Sequence, residues 1–208
     1  MFKHYGRQGR LVLSILGCTM LMLSSGSSRA SDGGSAKADG ASKLGVSRDD
    51  QRGYQQDYHL RLHHLHTGED LDVVYRVGDR YVPEALNRLN LFLRDYRTQD
   101  EKDYDPREFD LLHSLLERLH RPDAVIDIVC GYRTAETNQY LRTGAAVTGV
   151  ASHSQHMLAK AIDIRVPGVA TATLRNAALS LQAGGVGYYP VSQFVHVDVG
   201  PVRRWTFR

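Results

Sequence analysis

Residues 186–199 read Val-Gly-Tyr-Tyr-Pro-Val-Ser-Gln-Phe-Val-His-Val-Asp-Val. Two short apolar runs, Val186–Tyr189 and Phe194–Val199, meet through Pro190, which predicts two strands and a turn. Upstream, Ala161–Val166 alternates as a strand does, and Thr173–Gln182 carries a helical pattern stopped by Gly184-Gly185. Ala124–Val129 is a short apolar run ended by Gly131 and suits a buried strand, and Thr134–Leu141 follows as a helix. Further back, Leu86, Leu89, Leu93 and Tyr96 recur at three and four residues behind Pro83 and Glu84. Asp105-Pro106-Arg107-Glu108 opens a second helix, with Phe109, Leu112, Leu116 and Leu119 on one face. His59–His63 and Leu71–Val77 flank the turn chemistry of Thr67-Gly68-Glu69-Asp70, which predicts a hairpin. Helices come first and short strands cluster late, which predicts an α+β fold rather than a regular βαβ repeat.

The 208 residues suffice for one domain with a real core, and 42% hydrophobic with 24% charged residues marks a globular chain. Lys and Arg exceed Asp and Glu by only three, and Lys3, Arg7, Arg10 and Arg29 lie in an acid-free N-terminal stretch. The remainder is slightly acidic, which argues against a nucleic-acid partner. Residues 1–30 have the three parts of an export signal: that charged start, an apolar run from Leu11 to Leu23, and Ser28-Arg29-Ala30 as a small-x-small cleavage site. The run is too short for a comfortable membrane span, so no stable insertion is expected after cleavage. Two alternatives stay open, an uncleaved anchor and a lipoprotein box at Ile15-Leu16-Gly17-Cys18. Residues 31–48, rich in Gly, Ser, Ala, Lys and Asp, read as a linker, leaving 49–208 as the exported domain. Cys130 is then the one thiol left, expected buried and inert.

Most of the domain's nine histidines need no special account. His59, His63, His64 and His66 flank the hairpin and are expected to be surface or strand-packing residues, for lack of carboxylates at matching spacing. Ser154–Asp163 differs, because it sets His156 and Asp163 seven residues apart, across a turn that ends in a strand. On the last strand His196 and Asp198 share a face, because side chains repeat every two residues. Two His and one Asp are a normal set for catalytic zinc, with a fourth position left for water. The competing reading is two unrelated histidines, each satisfied by hydrogen bonds.

Ser154-x-His156-x-x-Ala159-x-Ala161-x-Asp163 followed by the His196-x-Asp198 strand resembles the zinc peptidases of family M15, in particular their murein endopeptidase branch. Leu65–Glu69, Gly131–Asn138 and Gly185–Pro190 fit the same pattern, so the resemblance spans about residues 54–205. It implies a Hedgehog/DD-peptidase-like fold, a small and mostly antiparallel sheet with helices packed on it. It implies zinc held by His156, Asp163 and His196, and Arg133 as a clamp on a substrate carbonyl or carboxylate. It also implies Ser154 beside the substrate, as a support of the His156 loop. The implied function is an exported zinc peptidase of the periplasm or cell envelope, monomeric, which cuts peptidoglycan stem peptides, most simply in their cross-links. The alternative is a zinc-containing wall-peptide-binding module without turnover.

Two positions depart from the family pattern. Ala159 stands where the motif has Gly, at a cost if the backbone there needs positive φ. The two or three positions before the last ligand, where other branches carry a general base, are Phe194 and Gln193. Asp198 is the nearest carboxylate, with two roles open to it: catalytic base facing the metal, or holder of the His196 ring.

Overall fold

The computed structural model describes residues 55–144 and 149–207. The expected signal, the linker and Cys18 lie outside these residues. The described chain is α+β, with four α-helices and one mixed eight-stranded sheet. The strands are β1 Asp57–His64, β2 Asp70–Val77, β3 Arg80–Tyr81, β4 Val125–Cys130, β5 Ala161–Arg165, β6 Gly185–Tyr189, β7 Phe194–Asp198 and β8 Arg203–Thr206. The helices are α1 Pro83–Phe92, α2 Arg107–Arg118, α3 Ala135–Thr143 and α4 Thr171–Leu181. The sheet order is β3-β2-β1-β4-β5-β7-β6-β8. Only β1–β4 and β6–β8 pair in parallel, so the sheet is mostly antiparallel but larger than expected.

Alternation forms the β1–β2 hairpin. Leu60, Leu62 and His64 point inward opposite Leu71, Val73 and Tyr75, while Arg61 faces water. β5 does not alternate. It lies mid-sheet between β4 and β7 and its first four residues are buried, as a strand covered on both faces requires. Helix α1 packs on β2, α2 on β1 and α4, and α4 on β6 and β7, around one apolar core. Helix α2 brings Phe109, Leu112, Leu115 and Leu116 to that core with no exposure. The first helix ends at Phe92, four residues short of Tyr96, because the chain turns at Leu93 to support β4 and α3. Leu93 O accepts the Tyr132 N–H, and Asp95 takes hydrogen bonds from Thr134.

Four carboxyl residues are buried among the described residues, Asp95, Glu108, Asp163 and Asp198, and Glu108 differs from the other three in its partners. Glu108, in the first turn of α2, is wholly buried, and no side chain donates a hydrogen bond to either of its oxygens. Burial, and after it the charges of Asp198 and Asp105, push its pKa well above the ordinary value. The folded chain therefore holds a proton that the unfolded chain releases, and stability falls as pH rises from the unfolded pKa towards the folded one. Glu108→Gln removes this dependence. Its stability relative to wild type is expected to improve with pH, by at most about 1.4 kcal/mol per unit. Denaturant melts of both proteins at pH 5.5, 7 and 8.5 check it, and a pH-independent difference would contradict it.

Candidate metal centre and cleft

The site is assembled where the C-terminal end of β4 meets the middle of β5 and β7. Asp163 lies directly opposite His196 in the β5–β7 register. His156 comes from a 3₁₀ turn, Gln155–Leu158, which ends at Ala159. Ala159 has φ 50° and ψ 48°, so the left-handed conformation that the family glycine would favour is present. It costs alanine about 1–2 kcal/mol, partly offset by burying the methyl group, which is worth about 0.8 kcal/mol. The turn is tied to the end of β4: His156 Nδ1 donates to Gly131 O (2.8 Å), and Arg133 N donates to His156 O (3.3 Å). Gly131 admits no side chain, because a Cβ there would meet Leu93 O at 2.5 Å.

Three donor atoms converge. His196 Nδ1 lies 2.9 Å from Asp163 Oδ1 and 3.0 Å from His156 Nε2, and His156 Nε2 lies 3.2 Å from Asp163 Oδ1. All three residues are buried. The outer ring nitrogens are engaged elsewhere: His156 Nδ1 by Gly131 O, and His196 Nε2 by Asp198 Oδ2 at 2.9 Å. In neutral rings, therefore, the inner nitrogens both present lone pairs to Asp163. Burial pushes the His156 pKa down to about 4. Asp163 is held well below the carboxylate range, against the effect of burial, by its two imidazole neighbours, and His196 is raised, also against burial, by Asp163 and Asp198. Three lone-pair donors that converge on one point, with at most one proton among them, have the chemistry that a cation site needs. Zinc bonds of about 2.0–2.1 Å place tetrahedral ligands roughly 3.3 Å apart, within a few tenths of the triangle observed. The residues present fit the ion.

Cys130 Sγ also comes within 4.8 Å of the His156 and Asp163 donor atoms. Burial pushes this thiol up to about 12, and it donates to Gly131 O at 3.6 Å, so His196 is the better third ligand.

Of the two roles open to Asp198, the geometry is that of the second. Oδ1 accepts from Gly185 N (3.0 Å), Gly200 N (2.8 Å) and Arg203 Nη1 (3.0 Å). Oδ2 accepts from His196 Nε2 (2.9 Å) and Arg203 Nη2 (2.7 Å). These donors hold Asp198 well below the carboxylate range, against burial. It grips the His196 nitrogen that faces away from the donor triangle, the usual way a carboxylate orients a metal-binding imidazole.

A cleft of about 490 Å³ opens over the triangle. Its aromatic wall is Tyr189, Phe194 and Trp205: Tyr189 stacks on Phe194 at 4.3 Å, and Trp205 Nε1 donates to Tyr189 Oη at 3.0 Å. Trp205 stands 5.0 Å from the His196 ring, over Gly187, where a Cβ would meet the indole at 2.5 Å. Arg133 lines the cleft, 8% exposed. Its Nη2 donates to Ser154 Oγ (3.1 Å), its Nε has no partner, and no carboxylate pairs with it among the described residues. A buried guanidinium without a counter-ion is costly unless a ligand supplies one.

The hairpin histidines lie away from the cleft. His64 packs on Phe92 and Tyr96, and His66 stacks on Tyr96 at 4.1 Å. His59 and His63 do have carboxylates: the β1–β2 register sets Asp70 opposite His63, and Asp72, opposite Arg61, reaches His59 diagonally, neither of them visible in the spacing. The sequence reading missed His153, Tyr189 and Trp205, all of which line the cleft. The available signal was His153 directly before Ser154-x-His156, and aromatic residues clustered beside the last ligand strand.

Residues 53–205 match the peptidase M15 family model described as peptidoglycan L,D-endopeptidase MepK. The peptidoglycan L,D-endopeptidase MepK of Escherichia coli K12 is 44% identical over 146 residues, which is 70% of this chain and 79% of that protein. The probable peptidoglycan L,D-endopeptidase MepK of Haemophilus influenzae is 40% identical over 146 residues, 70% of this chain and 77% of its own length. No solved structure matches the chain.

Proposed function

Since the chain belongs to the peptidase M15 family of peptidoglycan L,D-endopeptidases, we propose that its cleft hydrolyses a peptide bond within peptidoglycan cross-links, with zinc held by His156, Asp163 and His196. The observation that carries the reading is the triangle of three lone-pair donors, 2.9–3.2 Å apart, under a cleft lined by an unpaired guanidinium. Zinc at this point supplies a Lewis acid and water of lowered pKa. The chain's own residues do the rest. Gly131 O and Asp198 fix the two imidazole rings so that Nε2 of His156 and Nδ1 of His196 face inward. Arg133, steadied by Ser154, presents its fork to a carboxylate or to the carbonyl oxygen as charge develops there. Tyr189, Phe194 and Trp205 supply an apolar wall that excludes water from one side of the bound peptide.

The same reading extends to a Hedgehog/DD-peptidase-like fold, and to export through residues 1–30, with cleavage after Ala30, to the envelope where peptidoglycan lies. Among the described residues no helix is long and apolar enough to cross a membrane. The test is digestion of purified sacculi by the zinc-loaded protein, with mass spectrometry of the soluble products. Monomers derived from cross-linked dimers are expected. Binding to sacculi without any release would favour the wall-peptide-binding module.

A further inference from the structure

The donor triangle and the guanidinium leave one requirement of amide hydrolysis unmet: a group that takes a proton from the attacking water and returns it to the leaving amine. Asp163 is committed to the triangle, and Asp198 is saturated by five hydrogen-bond contacts on the far side of His196. Arg133 and Arg203 are permanently charged and accept no proton. Tyr189 is pushed up by burial and accepts the Trp205 indole N–H, so it is no base near neutral pH. His64 and His66 do not line the cleft.

His153 remains. It is exposed and lines the cleft together with His156, Asp163 and His196. Its Nδ1 shares a hydrogen bond with Ser152 Oγ (3.2 Å), and Nε2 makes none among the described residues. The segment that carries it is anchored on both sides. Asn138 Nδ2 donates to Ala151 O (3.1 Å), and Ser154 Oγ accepts from Arg133 (3.1 Å). An imidazole on a pinned segment, with a free ring nitrogen and a place in the lining of the cleft that opens over the donor triangle, has the chemistry of a general base.

We propose that His153 is the proton-transfer residue of this peptidase, an assignment that rests on the hydrolytic reading above. Nε2 accepts a proton from the attacking water as the water oxygen bonds to the scissile carbonyl carbon. The same proton then passes to the amide nitrogen as the carbon–nitrogen bond breaks. One water is added across the amide, and His153 ends neutral, ready for another turn.

The experiment compares wild type, His153→Ala and His153→Asn in steady-state hydrolysis of a cross-linked dimeric muropeptide, with zinc content measured in each. Both variants are expected to fold, to keep one zinc, to keep KM within a few-fold, and to lose kcat by about 10²–10⁴-fold. Free imidazole is expected to restore part of the rate to His153→Ala and to leave wild type unchanged. A variant that keeps full kcat, or that loses zinc along with activity, overturns the assignment. A zinc-loaded wild type that hydrolyses nothing would instead remove the peptidase reading on which it stands.

Discussion

His156→Ala and His196→Ala are each expected to lose the metal and nearly all hydrolysis while keeping the fold. Each removes one corner of the donor triangle and leaves two ligands, too few for a tight zinc site. The lost Lewis-acid contribution is several kcal/mol of barrier, which at about 1.4 kcal/mol per decade is a rate loss on the order of 10³-fold or more. The fold should persist because β5 and β7 stay paired along Ala161–Ile164 and their apolar residues stay in the core. Elemental analysis of the purified variants, with circular dichroism as the control for folding, is the check. One zinc per chain in a His156→Ala, His196→Ala double variant would place the metal elsewhere.

Arg133→Lys should separate binding of the metal from use of the substrate. Arg133 touches none of the three donor atoms, and the Gly131 and Asp198 contacts that aim the rings do not pass through its side chain. Zinc content is therefore expected to be unchanged. Lysine brings one compact charge where the guanidinium brings a planar fork, so two-point contact with a carboxylate or developing oxyanion is lost. By analogy with removal of an oxyanion-hole donor, the loss is about 2.7–4 kcal/mol of barrier, or 10²–10³-fold in kcat. Steady-state kinetics with zinc content measured in parallel provides the test, and a wild-type rate would remove Arg133 from the site.

Much of this architecture was legible from local pattern. Alternation marks β1 and β2, and the helix read at Thr134–Leu141 is present as Ala135–Thr143, with Thr134 as its cap through Oγ1, which accepts the Thr137 N–H at 3.1 Å. His156, Asp163 and His196 were legible as candidates from residue type and spacing, and the fold brings their donor atoms together. What local pattern does not carry is pairing between distant segments. The parallel contacts of β1 with β4 and of β6 with β8 join segments separated by other elements. The Arg203–Thr206 strand has little apolar signal, with three of its four residues exposed. The hairpin aspartates reach His59 and His63 only through register.

Asp198 shows where the reading of the site ran out. The period of two correctly puts it on the His196 face of β7. It does not say which ring nitrogen faces the triangle. That depends on Gly185, Gly200 and Arg203, which converge on the carboxylate from outside the strand. His153 stayed unnoticed for a related reason, because its value depends on the cleft that β5, β7 and β8 close around it.

The most direct measurement is a titration of the metal-stripped protein with zinc during hydrolysis of a cross-linked dimeric muropeptide, with products identified by mass. The account predicts no hydrolysis in the stripped protein, a rate that rises linearly with added zinc and levels off at one equivalent per chain, and products that correspond to one peptide bond cut within the cross-link. Full hydrolysis by the stripped protein, or none with one equivalent of zinc bound, would contradict it.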